Sequence, residues 1–252
     1  MLRRILLTAL AAGLIAGVLV TAVQSVTTTP IILHAEQYES AAEPHDHSGL
    51  DAPAAPLADL AEALLPSARA HSDASRDAGH ESAEGSSWAP GDGLERLFYT
   101  LSANLLLGVG FALLIVAGFV LHGREVTTLS GILWGGAGFV VVTLAPGLGL
   151  PPEVPGSLAA DLQARQLWWL FAAVAAAVGL GLVVFAARWP AKALGVAVAA
   201  LPHLLGAPQP EALGGNVPPE LAGHFAAASI VVSAIFWALL GWLSATFYRR
   251  LS

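Results

Sequence analysis

From Leu97 to Leu121 the chain runs for 25 residues without an Asp, Glu, Lys or Arg. A helix of ~20 such residues is long enough to cross the hydrocarbon core of a bilayer. Similar apolar runs recur at roughly 5–26, 129–149, 167–187, 191–207 and 223–247. In lipid every backbone N–H and C=O needs a partner within the protein. These runs are rich in Ala, Leu and Gly and lack the in–out alternation of barrel strands. The expectation is an all-α fold, a polytopic helical membrane protein with about six transmembrane helices. Composition agrees: hydrophobic residues make up 56% of the 252 residues and charged residues only 12%, outside the range of an ordinary soluble domain.

Charge sets the expected sidedness. With six spans and the N-terminus inside, Arg3, Arg4, Arg124, Arg188, Lys192, Arg249 and Arg250 fall on the cytoplasmic side. Arg69, Arg76, Arg96 and Arg165 fall outside, a split that obeys the positive-inside rule. Of the 18 acids only Glu125 lies inside. A five-span reading that lays 191–207 on the surface would put Arg249 and Arg250 outside, so six spans are preferred. The run from Ile5 to Val23 exceeds the usual ~7–15 residues of a signal-peptide core and is read as a retained span. The chain then divides into a first transmembrane helix (1–33), an outer loop (34–96) and a five-helix membrane bundle (97–252). Both termini are then expected to be cytoplasmic.

The outer loop is acidic, rich in Ala, Pro, Ser and His, and largely without apolar patterning, so it is expected to be mostly disordered. One piece differs: Leu57, Leu60, Ala61, Leu64 and Leu65 recur at helical spacing, compatible with a short helix on the membrane surface. Within the spans, Gly13 with Gly17 and Gly131 with Gly135 form G-x-x-x-G pairs. Such pairs let lipid-embedded helices approach closely.

Several functions are excluded or unsupported. There is no cysteine, hence no disulfide and no thiolate metal site. Neither a G-x-x-x-x-G-K-[ST] phosphate loop nor H-E-x-x-H occurs, and no nucleophile is paired with a base at a recognisable spacing. An enzyme is not expected, nor a resident cofactor, nor a nucleic-acid partner.

What remains points to cations. His34 with Glu36, and His45 and His47 around Asp46, lie in the outer loop. Imidazole nitrogen and carboxylate oxygen are the ligand set of divalent first-row ions, although the same residues also read as a plain solvated acidic loop. His203 follows Pro202 near the outer end of the fifth run, and His224 opens the sixth. The two histidines therefore approach one depth from different helices. Each is either a metal ligand or a partner for a carbonyl freed near a proline or helix end. The proline- and glycine-rich stretch 146–169 reads as a structured turn and brings Glu153, Asp161 and Arg165 to the same face. Asp92, Glu95 and Arg96 precede the second span, with Asn104 about two turns inside it. These charges are either paired locks between helix ends or a vestibule that concentrates cations.

Five stretches, "WAPGDGLERLFYTLSAN", "APGLGLPPEVPG", "ADLQARQLWW", "LPHLLGAPQP" and the opening "RRILLTALAAGLIAGVL", are similar to the CbtA family of cobalt transporter subunits. The resemblance covers the chain apart from about 40–85. It implies cobalt uptake for cobalamin synthesis and a small single-span partner, CbtB, with a histidine-rich tail. It supplies no ligand set, so the metal candidates are His203, His224, His34, Glu36, His45, His47, Glu153 and Asp161. The vestibule candidates are Asp92, Glu95, Arg165 and Asn104. The rival reading is a metal-binding or assembly subunit that conducts nothing itself. The family is often described with five spans, which cleavage of the first would reconcile with six.

Overall fold

The computed structural model describes residues 1–40, 90–210 and 215–251. The expected loop disorder, the surface helix near 57–65, and His45 and His47 lie outside the described residues. Within them the fold is helical: α1 (Leu2–Val26), α2 (Thr28–Ser40), α3 (Leu94–His122), α4 (Thr128–Gly147), α5 (Leu162–Phe185), α6 (Trp189–Leu205) and α7 (Pro219–Arg250). Five of these, α1, α3, α4, α5 and α7, are long and apolar enough to cross a membrane. The sixth, α6, is apolar but only 17 residues long, and it lies against α5. Many leucines on the outer surface, among them Leu106, Leu114 and Leu204, are largely exposed, as side chains facing acyl tails would be.

Local chemistry sets the helix ends. Gly93 (φ +84°) and Gly123 (φ +66°) hold left-handed conformations on either side of α3, where a Cβ would be strained. A reciprocal capping box between Thr127 and Ser130 starts α4. The Asp161 carboxylate caps α5 by accepting from the Ala164 N–H at 2.8 Å. Prolines sit in the first turns of α6 and α7.

Two boundaries differ from expectation. Residues 34–40 belong to α2 rather than to a loop, because Ile31 and Ala35 bury against Val154 and the start of α7. His34 and Glu36 are therefore on a helix. The second difference is within α4, where Val140–Leu144 is a π-helical segment and the Ala145 N–H bonds the Val140 carbonyl. Pro146 has no N–H to return to the previous turn, so a carbonyl there loses its usual donor.

The helices pack where side chains are smallest. Gly13 and Gly17 of α1 meet Gly108, Val109 and Asn104 of α3; a Cβ on Gly108 would lie 2.5 Å from the Gly13 carbonyl oxygen. Gly131 and Gly135 of α4 meet Gly241 and Trp237 of α7 in the same way. Both expected glycine pairs are thus helix crossings. A third crossing, Gly179 on α5 against Gly195 on α6, joins the hairpin. The result is a four-helix body (α1, α3, α4, α7) with an α5–α6 hairpin held along the π segment. Trp168 of α5 is wedged against Gly149.

One end of the bundle gathers the N-terminus of α1 and the C-terminus of α7. There Arg4 donates to the Tyr248 carbonyl through Nε (2.9 Å) and Nη2 (2.5 Å). The other end carries α2, Asp92, Glu153 and the start of α5. These are the arginine end and the acidic end.

Candidate functional site

A cavity of about 390 Å³ opens among α1, α2, α3, the π segment and α7, toward the acidic end. Each helix contributes a polar group for a local reason. Thr21 and Gln24 are one turn apart on α1, and Asn104 lies ten residues, or ~15 Å, into α3. The Asn104 Nδ2 donates to Thr21 Oγ1 at 2.9 Å and to Gln24 Oε1 at 2.6 Å, while Thr21 returns its own proton to the Gly17 carbonyl at 2.8 Å. This arrangement spends the amide protons of Asn104 and leaves its carbonyl oxygen as an acceptor. The wall of α7 offers Ser229 and Ser233, spaced i to i+4 on one face, and the π segment offers Thr143. Thr28, Thr29 and Thr100 complete the polar lining. Ser229, Ser233, Thr100 and Thr143 make no side-chain hydrogen bond among the described residues. In lipid, hydroxyls left without a partner are costly unless water or a ligand meets them. Phe111, Phe236 and Trp237 close the inner end, with the Phe111 and Trp237 ring centroids 4.7 Å apart.

At the mouth, Arg96 forms a two-pronged pair with Glu36, Nη1 to Oε1 at 2.7 Å and Nη2 to Oε2 at 3.1 Å. Its Nη2 also reaches Asp92 at 2.9 Å. Two acids surround one guanidinium, so the mouth carries a net charge of −1 (+1 − 2).

The other sequence candidates are placed as follows. Glu153 pairs with Arg165 at 2.6 Å, a lock between the 148–161 connection and α5. Glu95 accepts from the Gly91 N–H at 3.1 Å, and Asp161 is the cap of α5. His203, in the last turn of α6, packs edge-on against Trp168 with centroids 5.8 Å apart. His224 is exposed near the start of α7, and His34 is exposed on α2 beside Tyr38. Asn104 alone of the candidates lines the cavity, and Glu36 and Asp92 reach it through Arg96. Among the described residues no group of three or more His, Asp or Glu comes together to hold a metal. The sequence reading missed the hydroxyls. Their signal was Thr and Ser recurring at three- and four-residue spacing inside runs otherwise read only for hydropathy.

Long apolar helices packed around a cavity whose largely apolar wall carries a few hydroxyl and amide groups define the class, a polytopic helical membrane protein. The chain belongs to the CbtA family: the family model described as "Probable cobalt transporter subunit (CbtA)" matches residues 2–249. No curated protein and no solved structure matches it. It is thus a multi-pass membrane protein of a metal-transport family.

Proposed function

We propose that the chain takes Co²⁺ from the outer face of a prokaryotic plasma membrane and admits it to the polar cavity, with both termini in the cytoplasm, supporting cobalamin synthesis. The observation that carries the reading is the cavity itself, where hydroxyl and amide groups interrupt a largely apolar wall within the helices, beneath an acid-rich mouth. Exposed His34 and His224, with His45 and His47 of the connecting segment, collect the ion near the surface. Glu36 is the anionic ligand at the entrance. When a divalent ion competes for its carboxylate, Arg96 turns to Asp92, which it already touches. His203, Glu153 and Asp161 remain at the rim, where their present partners hold the helix ends in place.

The lining favours an ion that keeps much of its water. Hydroxyl and amide oxygens suit hydrated cations better than they replace imidazole. Six waters at about 30 Å³ each occupy about 180 Å³, which fits within the cavity. Driving force needs no nucleotide: two charges moving inward gain ~4.6 kcal/mol per 100 mV of membrane potential.

A second reading is favoured by the word "subunit" in the family description. In it the chain binds the metal, and a small single-span CbtB-like partner is needed for conduction. One experiment separates the two. The purified chain is reconstituted in liposomes with an inside-negative potential, and cobalt entry is measured with and without the partner. Entry with the chain alone supports transport, and entry only with the partner supports an assembly role. Initial rates unchanged by Asn104→Leu and Ser233→Leu would remove the cavity from either path.

A further inference from the structure

At the arginine end a second cleft, of about 500 Å³, lies between the ends of α1, α3 and α7 and the turn into α4. Arg4, Arg124 and Arg249 line it, with Glu125 the one acid among the lining residues. Arg249 is already engaged, its Nη1 donating to Thr128 Oγ1 at 3.4 Å, and Arg4 and Arg124 outnumber the acid by one. Arg4 is fixed: besides its two bonds to the Tyr248 carbonyl, its guanidinium carbon sits 3.7 Å over the centre of the Tyr248 ring. That leaves further N–H donors of a rigid guanidinium for an acceptor in the cleft. Arg124 follows the left-handed Gly123 that ends α3 and is exposed. The floor is apolar, made by Phe119, Val120 and Val126. Beside the cleft Leu121 of α3 and Leu129 of α4 lie open, as they would against acyl chains.

From this geometry we infer that the cleft is a binding site for the phosphate-bearing headgroup of an anionic phospholipid. A phosphodiester satisfies the excess positive charge and the fork geometry of the guanidinium groups. The apolar floor and the open leucines accept the glycerol and the first methylenes, which inorganic phosphate lacks. Basic cleavages between helix ends at headgroup depth are the setting in which such lipids are held. Occupancy would tie the free edges of α1, α3 and α7 together at the end remote from the polar cavity. The inference does not depend on which ion the chain carries.

The test uses the full chain purified in a neutral detergent. Phosphatidylglycerol, phosphatidylcholine and inorganic phosphate are titrated separately while thermal unfolding and lipid adducts in native mass spectra are followed. Phosphatidylglycerol is expected to raise the melting temperature in a saturable way and to leave one retained adduct. Arg124→Gln should weaken its binding about tenfold, the size expected for losing one charge-assisted contact. Arg188→Gln, at the same end of the bundle but outside the cleft, should leave binding unchanged. Equal protection by phosphatidylcholine, or equal loss in both variants, overturns the proposal. Protection by inorganic phosphate at matching concentrations overturns the lipid assignment and makes the cleft a phosphate site.

Discussion

The four-helix body and the α5–α6 hairpin use the same close glycine crossings, yet only the body encloses polar groups. Between Leu167 and Leu201 there is no Ser, Thr, Asn or Gln. The helices of the body, by contrast, carry Gln24, Thr100, Asn104, Thr143, Ser229 and Ser233 into one cavity. Glycine crossings in a membrane bring backbones together by van der Waals packing and do not by themselves create a site. A site appears where a hydroxyl or amide is retained at a cost in lipid and is turned toward a shared space. In the proposed function the body carries the solute chemistry, and the hairpin is a side wall keyed to it through Trp168.

The largest effect should come from filling that space. Ser233→Leu adds apolar bulk to the cavity and should reduce initial cobalt uptake by at least about tenfold, while the protein still purifies as a folded species. Gly181→Leu in the hairpin, where nothing lies within 4 Å of a new Cβ, should leave uptake near wild type. Equal losses in the two variants would erase the distinction between body and hairpin. Next in size is Gly135→Ala, whose methyl group would run into the Trp237 carbonyl, against Gly136→Ala, which meets nothing. Thermal melts in detergent should show a loss of about 1–3 kcal/mol for the first and almost none for the second.

Glu36→Gln sharpens the view of the mouth. Removing the carboxylate charge leaves Arg96 opposed only by Asp92 and should lower uptake severalfold, most visibly at low metal concentration. Deleting 41–85 should also act mainly at low metal, and a loss equal at all concentrations contradicts a collecting role. The smallest effect belongs to the rim. Arg165→Gln breaks a half-exposed pair with Glu153 and should change stability by only ~0.2–1 kcal/mol, read as a small shift in melting temperature.

The spans were legible because hydropathy over a long run has one physical solution in lipid. The glycine pairs were legible because small residues at four-residue spacing have few other uses there. The pairing of Arg165 and Arg96 with nearby acids also lay within the expected alternatives, whereas the capping role of Asp161 did not. The cavity was not legible. Its members come from five helices, each contributing one to three polar residues, and only tertiary packing shows that they face one another. Histidines drew attention because their chemistry is distinctive. His203, however, belongs to a helix that packs on Trp168, and His224 and His34 sit on exposed surfaces. The π segment was hidden for a different reason: Val140–Leu144 reads as ordinary span, and only Pro146 hints that the hydrogen-bond ladder must shift.

The clasp between Glu36 and Arg96 also pins both roots of the segment that joins α2 to α3. With the roots held together, the gap that residues 41–89 must bridge is set by α2 and α3 and not by that segment. Replacing residues within that segment should therefore leave the fold of the bundle that anchors it unchanged.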